Sequence, residues 1–277
     1  MGHLDLELKK EVSSFRKIAI GTWQTAYDPT VYGTLRIRMD KSLQYIEKFR
    51  EVHGVRLTVT HLVAKAVAEG LKRCPDANAI LRWNKIYLRK QVTLSVLVVQ
   101  TDGGDGKVDL TAARIADAEK KSLKEMAAEM QEAVDKVRQR KDVALEKSKG
   151  TIHAIPFMFM NFFLKLLGFL MYTLNLDMSW AGLPKDAFGG VTITNVGSLG
   201  LDVAYVPLVP YTNTPIFVAP GAVLDQPVVE DGKVVPGKVM NLNASFDHRF
   251  IDGFHAGVLA KTVREMLENP FESFDKV

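Results

Sequence analysis

The segment SFDHRFIDGFHAG, residues 245–257, places an acid, a base and a turn glycine within a few residues. His248 closes an alternating stretch, MNLNASFD, that reads as a strand, and RFIDG then turns the chain into an apolar helical pattern. An imidazole at a strand end suits general-base chemistry, because its unperturbed pKa lies near neutrality. Asp252, four residues on, suits holding the turn, by pairing with an arginine or by accepting backbone N–H groups. Gly253 suits a tight entry into the helix, where a side chain would restrict the backbone. On these residues alone a second reading stands beside the first: His248 as a hydrogen-bonded polar residue at a strand end.

Other chemistry-bearing groups give weaker signals. GSLG at 197–200 fails the nucleophile-elbow spacing, because its first glycine adjoins the serine. DGGDGK at 102–107 lacks the spacing of a phosphate loop and reads as a solvated loop. His53, His61, His153 and His255 have no partners at ligand spacing, so no metal site is expected. His61 and His255 read as surface or packing residues. Cys74 is the only cysteine, which excludes an intramolecular disulfide, and it reads as a small buried residue.

The chain has 277 residues, 47% of them apolar, enough for a sizeable core. Its net charge of +4 comes from interleaved bases and acids, so no nucleic-acid partner is expected. The opening MGHLDLELKKEV lacks the apolar core of a signal peptide, and Leu6 stands where a myristoylation signal wants Ser or Thr. With one cysteine and no leader pattern, the expected setting is cytoplasmic.

The elements that must position His248 follow from hydrophobic period. Residues 4–23 read as helix. VYGTLRIRMD alternates as a strand, and KSLQYIEKFREVHG is a helix closed by Gly54. TVTHLVAKAVAEGLKRCP is a second helix, with Leu62, Val63, Ala66, Val67 and Leu71 on one face and Pro75 as its stop. IYLRK and VTLSVLVVQ read as strands paired with each other. SLKEMAAEMQEAVDKVRQRK is a long amphipathic helix. GGVTITNVG, PIFVAPGAV and KVMNLNASFDH are strands, with EDGK as a hairpin turn, and GFHAGVLAKTVREMLEN is the closing helix. Helices alternate with strands and antiparallel hairpins come late, which predicts an α/β (α+β) sandwich with a mixed β-sheet flanked by helices, in a single domain spanning 1–277.

The most apolar run, FMFMNFFLKLLGFLMYTLNL at Phe157–Leu176, is long enough for a membrane span. Asn161, Lys165, Gly168, Tyr172 and Asn175 recur every three to four residues, however, and draw a polar stripe along one helix face. The opposite face, with Phe163 and Leu167, must be covered. A second copy is favoured over a peripheral membrane contact, because Lys165 is the only basic residue in the run.

HRFIDG matches the His-x-x-x-Asp-Gly signature shared by the dihydrolipoyl acyltransferase catalytic core of 2-oxo acid dehydrogenase complexes and by chloramphenicol acetyltransferase. SFDHRFIDG resembles the first of these more closely. VTITNVGSLG, TPIFVAPGAV and LTVTHLVAKAVAEGLKRCPDANAIL resemble further segments of that core, so the likeness runs in order from about Phe15 to Pro270. It implies a chloramphenicol acetyltransferase-like fold and an acyltransferase that moves an acyl group between coenzyme A and a dihydrolipoyl-type thiol. His248 would take the thiol proton, Thr194 would donate to the oxyanion, and Asp252 would shape the loop. Asn195 and Gly253 would flank the substrate. In these families the histidine and the hydroxyl come from neighbouring subunits, which implies a homotrimer or larger cage. The sequence departs from the pattern in showing no lipoyl attachment site or peripheral-subunit-binding domain, in carrying Thr22 where a second arginine often stands after Arg16, and in an apparent insertion at 150–185. Two other readings share the fold: an assembly protein with little catalysis docked through the 157–176 helix, and an acetyltransferase of a small hydroxylated molecule.

Overall fold

The computed structural model describes residues 4–11, 29–101, 108–138, 156–183 and 185–277. Its frame is a six-stranded sheet, ordered β2-β9-β8-β7-β5-β6. The strands are β2 (Thr30–Arg38), β5 (Leu94–Thr101), β6 (Val108–Ile115), β7 (Val191–Ile193), β8 (Ile216–Glu230) and β9 (Lys233–Asp247). β7 runs parallel to both neighbours, and the remaining pairs are antiparallel. The sheet is therefore mixed, as the sequence leads one to expect. The β8–β9 hairpin turns at Asp231 and Gly232, both at positive φ, which is the two-residue turn whose twist matches the strands.

Helices α1 (Asp40–His53), α2 (Val59–Arg73), α3 (Leu123–Arg138) and α5 (Gly253–Glu268) build the layer against this sheet, and α6 (Pro270–Ser273) ends the chain. Leu62, Val63, Ala66 and Val67 of α2 and Val263, Met266 and Leu267 of α5 share one core with Ile216, Val218, Met240 and Leu242 of the sheet. The two helices approach closely where α2 carries Gly70: a Cβ there would lie 3.1 Å from the Leu259 side chain.

Three expectations about the strands fail. Leu6–Leu8 form strand β1 rather than helix and pair with β4 (Lys85–Arg89). Residues 12–28, including Arg16 and Thr22, lie outside the described part. β4 does not pair with β5. It turns back on β3 (Ala79–Arg82) through Trp83 and Asn84, both at positive φ, and β1-β4-β3 form a separate sheet. That turn has no glycine, and Asn84 is its one compositional signal. Strand β6, hydrogen-bonded along β5, has no counterpart in the sequence reading.

The 157–176 run is not one straight helix. A short 3-10 turn leads into α4 (Met160–Gly168), which opens into a wider π turn at Phe169–Thr173. The π turn shifts the side-chain phase, so the expected polar stripe does not hold to one face. Asn161 and Lys165 are exposed, whereas Tyr172 is buried and Gly168 packs over Tyr211.

Candidate active site

The turn after β9 is built around its last residue. Asp247 accepts at its backbone carbonyl from Ile251 N, 3.0 Å away, and its carboxylate holds the Arg249 guanidinium through both oxygens, at 2.9 and 2.6 Å. Phe250 and Ile251 are buried and pin the turn to the core. His248 donates its backbone N–H to Pro29 O at 2.9 Å. Its ring Nδ1 lies 2.7 Å from Ile251 O. A carbonyl can only accept, so Nδ1 carries the proton of the neutral ring. Nε2 is then the basic nitrogen, and the ring orientation is fixed by the backbone.

Asp252 caps α5. Its Oδ1 accepts from Phe254 N at 3.0 Å and His255 N at 3.3 Å, groups that the helix itself leaves without partners. His255 Nδ1 lies 2.7 Å from the same oxygen. Backbone amides are thus among the partners of Asp252, and the His255 ring is another; Arg249 is held by Asp247. His255 had read as ordinary packing. The signal was present as Asp-x-x-His, a capping box with histidine in the usual Glu or Gln slot. Gly253 is not at positive φ, and a Cβ there would meet nothing within 4 Å. The turn does not need glycine for its backbone; what glycine leaves is open space at the mouth of the helix.

Thr194 sits where β7 gives way to a loop, and it donates N–H to Val218 O at 2.9 Å. Asn195 donates its side-chain amide to Thr60 Oγ1 at 2.8 Å and accepts Ser198 N at 3.0 Å. The loop can leave the strand because Gly197 passes over β8, where a Cβ would come within 2.3 Å of Gly221 O. It then crosses the sheet. Ala222 N donates to Leu201 O, Asn241 holds the Asp202 carboxylate at 3.0 Å, and Tyr205 meets Thr34 at 2.6 Å. Thr60, which the sequence did not single out, ties Asn195 to the first turn of α2. In that turn His61 is buried and accepts Thr58 N at 3.0 Å. Burial, then the charges of Arg56 and Arg50, push its pKa down to about 4, so it is a neutral acceptor.

The structure brings His248, Asp252 and Gly253 together at one end of the sheet, and Thr194 and Asn195 together elsewhere. It does not bring the two groups together within one chain. By register Thr194 lies level with Ala219 of β8, and His248 lies level with Thr214. Five positions at roughly 3.3 Å each put them about 17 Å apart along the strands, with one strand between them. An apolar cavity of about 150 Å³, lined by Leu242, Phe246, Ala256, Leu259 and Val263 among others, lies between the sheet and α5. None of His248, Asp252 and Thr194 lines it. Among the described residues no cluster of His, Cys, Asp and Glu could hold a metal ion. Cys74 is buried, which raises its thiol pKa.

Residues 8–155 and 184–274 match the family described as 2-oxoacid dehydrogenases acyltransferase (catalytic domain). The dihydrolipoyllysine-residue succinyltransferase component of the Escherichia coli K12 2-oxoglutarate dehydrogenase complex is 29% identical over 237 residues, covering 84% of this chain and 46% of that protein. The chain thus spans about half the length of the curated relatives it matches along most of its own. Among solved structures, the cubic core of a pyruvate dehydrogenase multienzyme complex superposes with a TM-score of 0.64 at 23% identity, over 95% of this chain and 93% of that one. A chloramphenicol acetyltransferase superposes with a TM-score of 0.52 at 14% identity, over 95% and 100%. The fold is shared with both.

Proposed function

The chain belongs to the 2-oxo acid dehydrogenase acyltransferase (catalytic domain) family, and from that membership we propose that it moves an acyl group between coenzyme A and a dihydrolipoyl-type thiol, with His248 as general base. The observation that carries the reading is the 2.7 Å contact from His248 Nδ1 to Ile251 O. It leaves Nε2 as the proton acceptor. Nε2 takes the proton of the attacking thiol. The thiolate adds to the thioester carbonyl, and the tetrahedral intermediate expels the second thiolate, which recovers the proton from the imidazolium. The Thr194 hydroxyl donates to the oxyanion, a contribution typically of about 3 kcal/mol. Asp252 acts through the turn and does not exchange protons. Asn195 holds the Thr194 loop to α2, and the space beside Gly253 admits substrate.

The separation of His248 and Thr194 supports a site shared between subunits of a homotrimer or larger homo-oligomer. No single chain can set both against one carbonyl, whereas a neighbour related by rotation can. Exposed apolar side chains near each half-site support the same arrangement. Leu199, Leu201 and Val203 accompany Thr194, and Phe254, 75% exposed, accompanies His248. Such surface is stable when a neighbour covers it. The deciding experiment offers the purified protein a panel of acyl-CoA donors with dihydrolipoamide and follows free coenzyme A by chromatography. Release of coenzyme A that depends on dihydrolipoamide and disappears in His248→Ala supports the reading; no release with any donor removes it.

A further inference from the structure

The interval that the family match skips, 156–183, places an apolar face in solvent. Met158, Phe159, Phe162, Leu166 and Phe169 are all at least 41% exposed. Their spacing follows the helix, so they form one stripe. The β3–β4 hairpin extends it, since Trp83 at the hairpin tip is 63% exposed and meets Phe169 edge to face at 6.1 Å. At about 200 Å² for each aromatic side chain, the four rings alone leave on the order of 450 Å² open. That is already the size of the largest patch on an ordinary soluble chain.

The face is held outward. On the inner edge of the helix Met171 and Tyr172 share a small core with Leu4 and Ile80, and Leu167 packs against it. The Arg82 guanidinium donates to Thr173 O at 3.0 and 3.1 Å and lies over the Tyr87 ring. The rings on the outer edge are thus mounted on a fixed support.

We propose that this face docks on an anionic lipid surface, with the aromatic stripe at the level of the acyl chains and Lys165 and Lys85 against the headgroups. Charge selects this occupant over the second copy that residues 157–176 alone favour, because the hairpin adds Lys85 to Lys165. Residues 156–176 contain no Asp or Glu, and Lys165 lies exposed within the stripe, between Phe162 and Leu166. Lys85 is exposed beside Trp83 at the hairpin tip. Asp177 follows the stripe and bonds to Ser179. A second copy packed across a two-fold axis would bring lysine toward lysine with no carboxylate in the stripe to neutralise them. A lipid surface receives the rings and, if anionic, the lysines. No helix among the described residues is long and apolar enough to cross a membrane, so the contact lies in the plane of the surface.

Flotation of the whole chain with phosphatidylcholine vesicles, with and without about a third phosphatidylserine, tests this. The wild type should float with the anionic vesicles, and added salt should reduce the bound fraction. Phe162→Glu should lower partitioning at least tenfold. Lys165→Gln should lower it about fivefold. Both side chains point into solvent, and circular dichroism melting should match the wild type for each variant. Sedimentation velocity without lipid should give the same size for all three proteins, and His248-dependent transfer should persist in each. Absence of wild-type flotation, flotation that ignores phosphatidylserine, or equal flotation of Phe162→Glu would overturn the proposal. A smaller assembly of Phe162→Glu without lipid would overturn it in favour of a second copy.

Discussion

Replacing Asp252 separates the positioning of His248 from its chemistry. In Asp252→Ala the amides of Phe254 and His255 lose their acceptor, and His255 Nδ1 loses its carboxylate contact. An N-cap is worth about 1 kcal/mol. A carboxylate in the first turn contributes roughly 0.3–1 kcal/mol more through the helix dipole. The expected loss is about 1.5 kcal/mol, or a fall in Tm of about 3–6 °C for a domain of this size. The same turn carries the carbonyl of Ile251, which sets the His248 ring. Displacing that ring by about 1 Å costs on the order of 100-fold in rate, and the cost falls on kcat. Asp252→Asn keeps an oxygen at the cap and ranks with Asp as a capping residue. It should recover most of the melting temperature and most of kcat. The assay is steady-state transfer from acyl-CoA to dihydrolipoamide, with kcat resolved from KM, beside calorimetry of each variant. Asp252→Asn that melts like the wild type yet is as slow as Asp252→Ala would refute the argument, because the charge itself would then serve the reaction.

His248→Ala should lower kcat by about 100- to 10,000-fold with unchanged melting, and wild-type turnover in that variant would remove the general base. Thr194→Ala should cost about 100-fold or less, since water partly replaces a lost donor; a loss exceeding that of His248→Ala would reverse the two roles. Co-expressing the His248→Ala and Thr194→Ala chains should restore about a quarter of wild-type activity, because each mixed cyclic trimer regains one complete site of three. No recovery would place both groups in one chain's own site. His61 has a folded pKa of about 4 against 6.5 in the unfolded chain. The unfolded state therefore binds the proton first as pH falls. Stability is complete above pH 6.5 and declines through the interval down to 4, by about 3 kcal/mol. Urea unfolding of wild type and His61→Gln across that interval should show a shallower slope in the variant.

The sequence showed its helices well and its sheets unevenly. Helices α1, α2, α3 and α5 are long enough for a 3.6-residue period to be counted, and Gly54 and Pro75 mark two of their ends. Strand pairing is a long-range choice that such counting does not reach. IYLRK and VTLSVLVVQ are adjacent in sequence and apolar, yet they belong to different sheets, because Trp83 and Asn84 fold β4 onto β3 first. The apolar run misled for a related reason. Its period points to Phe163 and Leu167 as the outward residues, but the structure leaves both half-buried and turns Phe162 and Leu166 to solvent.

The candidate site shows the same division between local and distant information. His248, Asp252 and the cap of α5 lie within eight residues, and the sequence displayed all of them, including Asp-x-x-His, whose meaning was missed. Nothing local relates them to Thr194. That relation is set by the register of β7 on β8 and of β8 on β9, which puts the two groups five positions apart on a common strand. The register also says why the arrangement invites an oligomer. A strand pair cannot slip by one residue without turning its core face to solvent, so no adjustment within the chain can shorten that distance. If both groups act on one thioester, the second must come from another chain, and the oligomer is then a requirement of the chemistry.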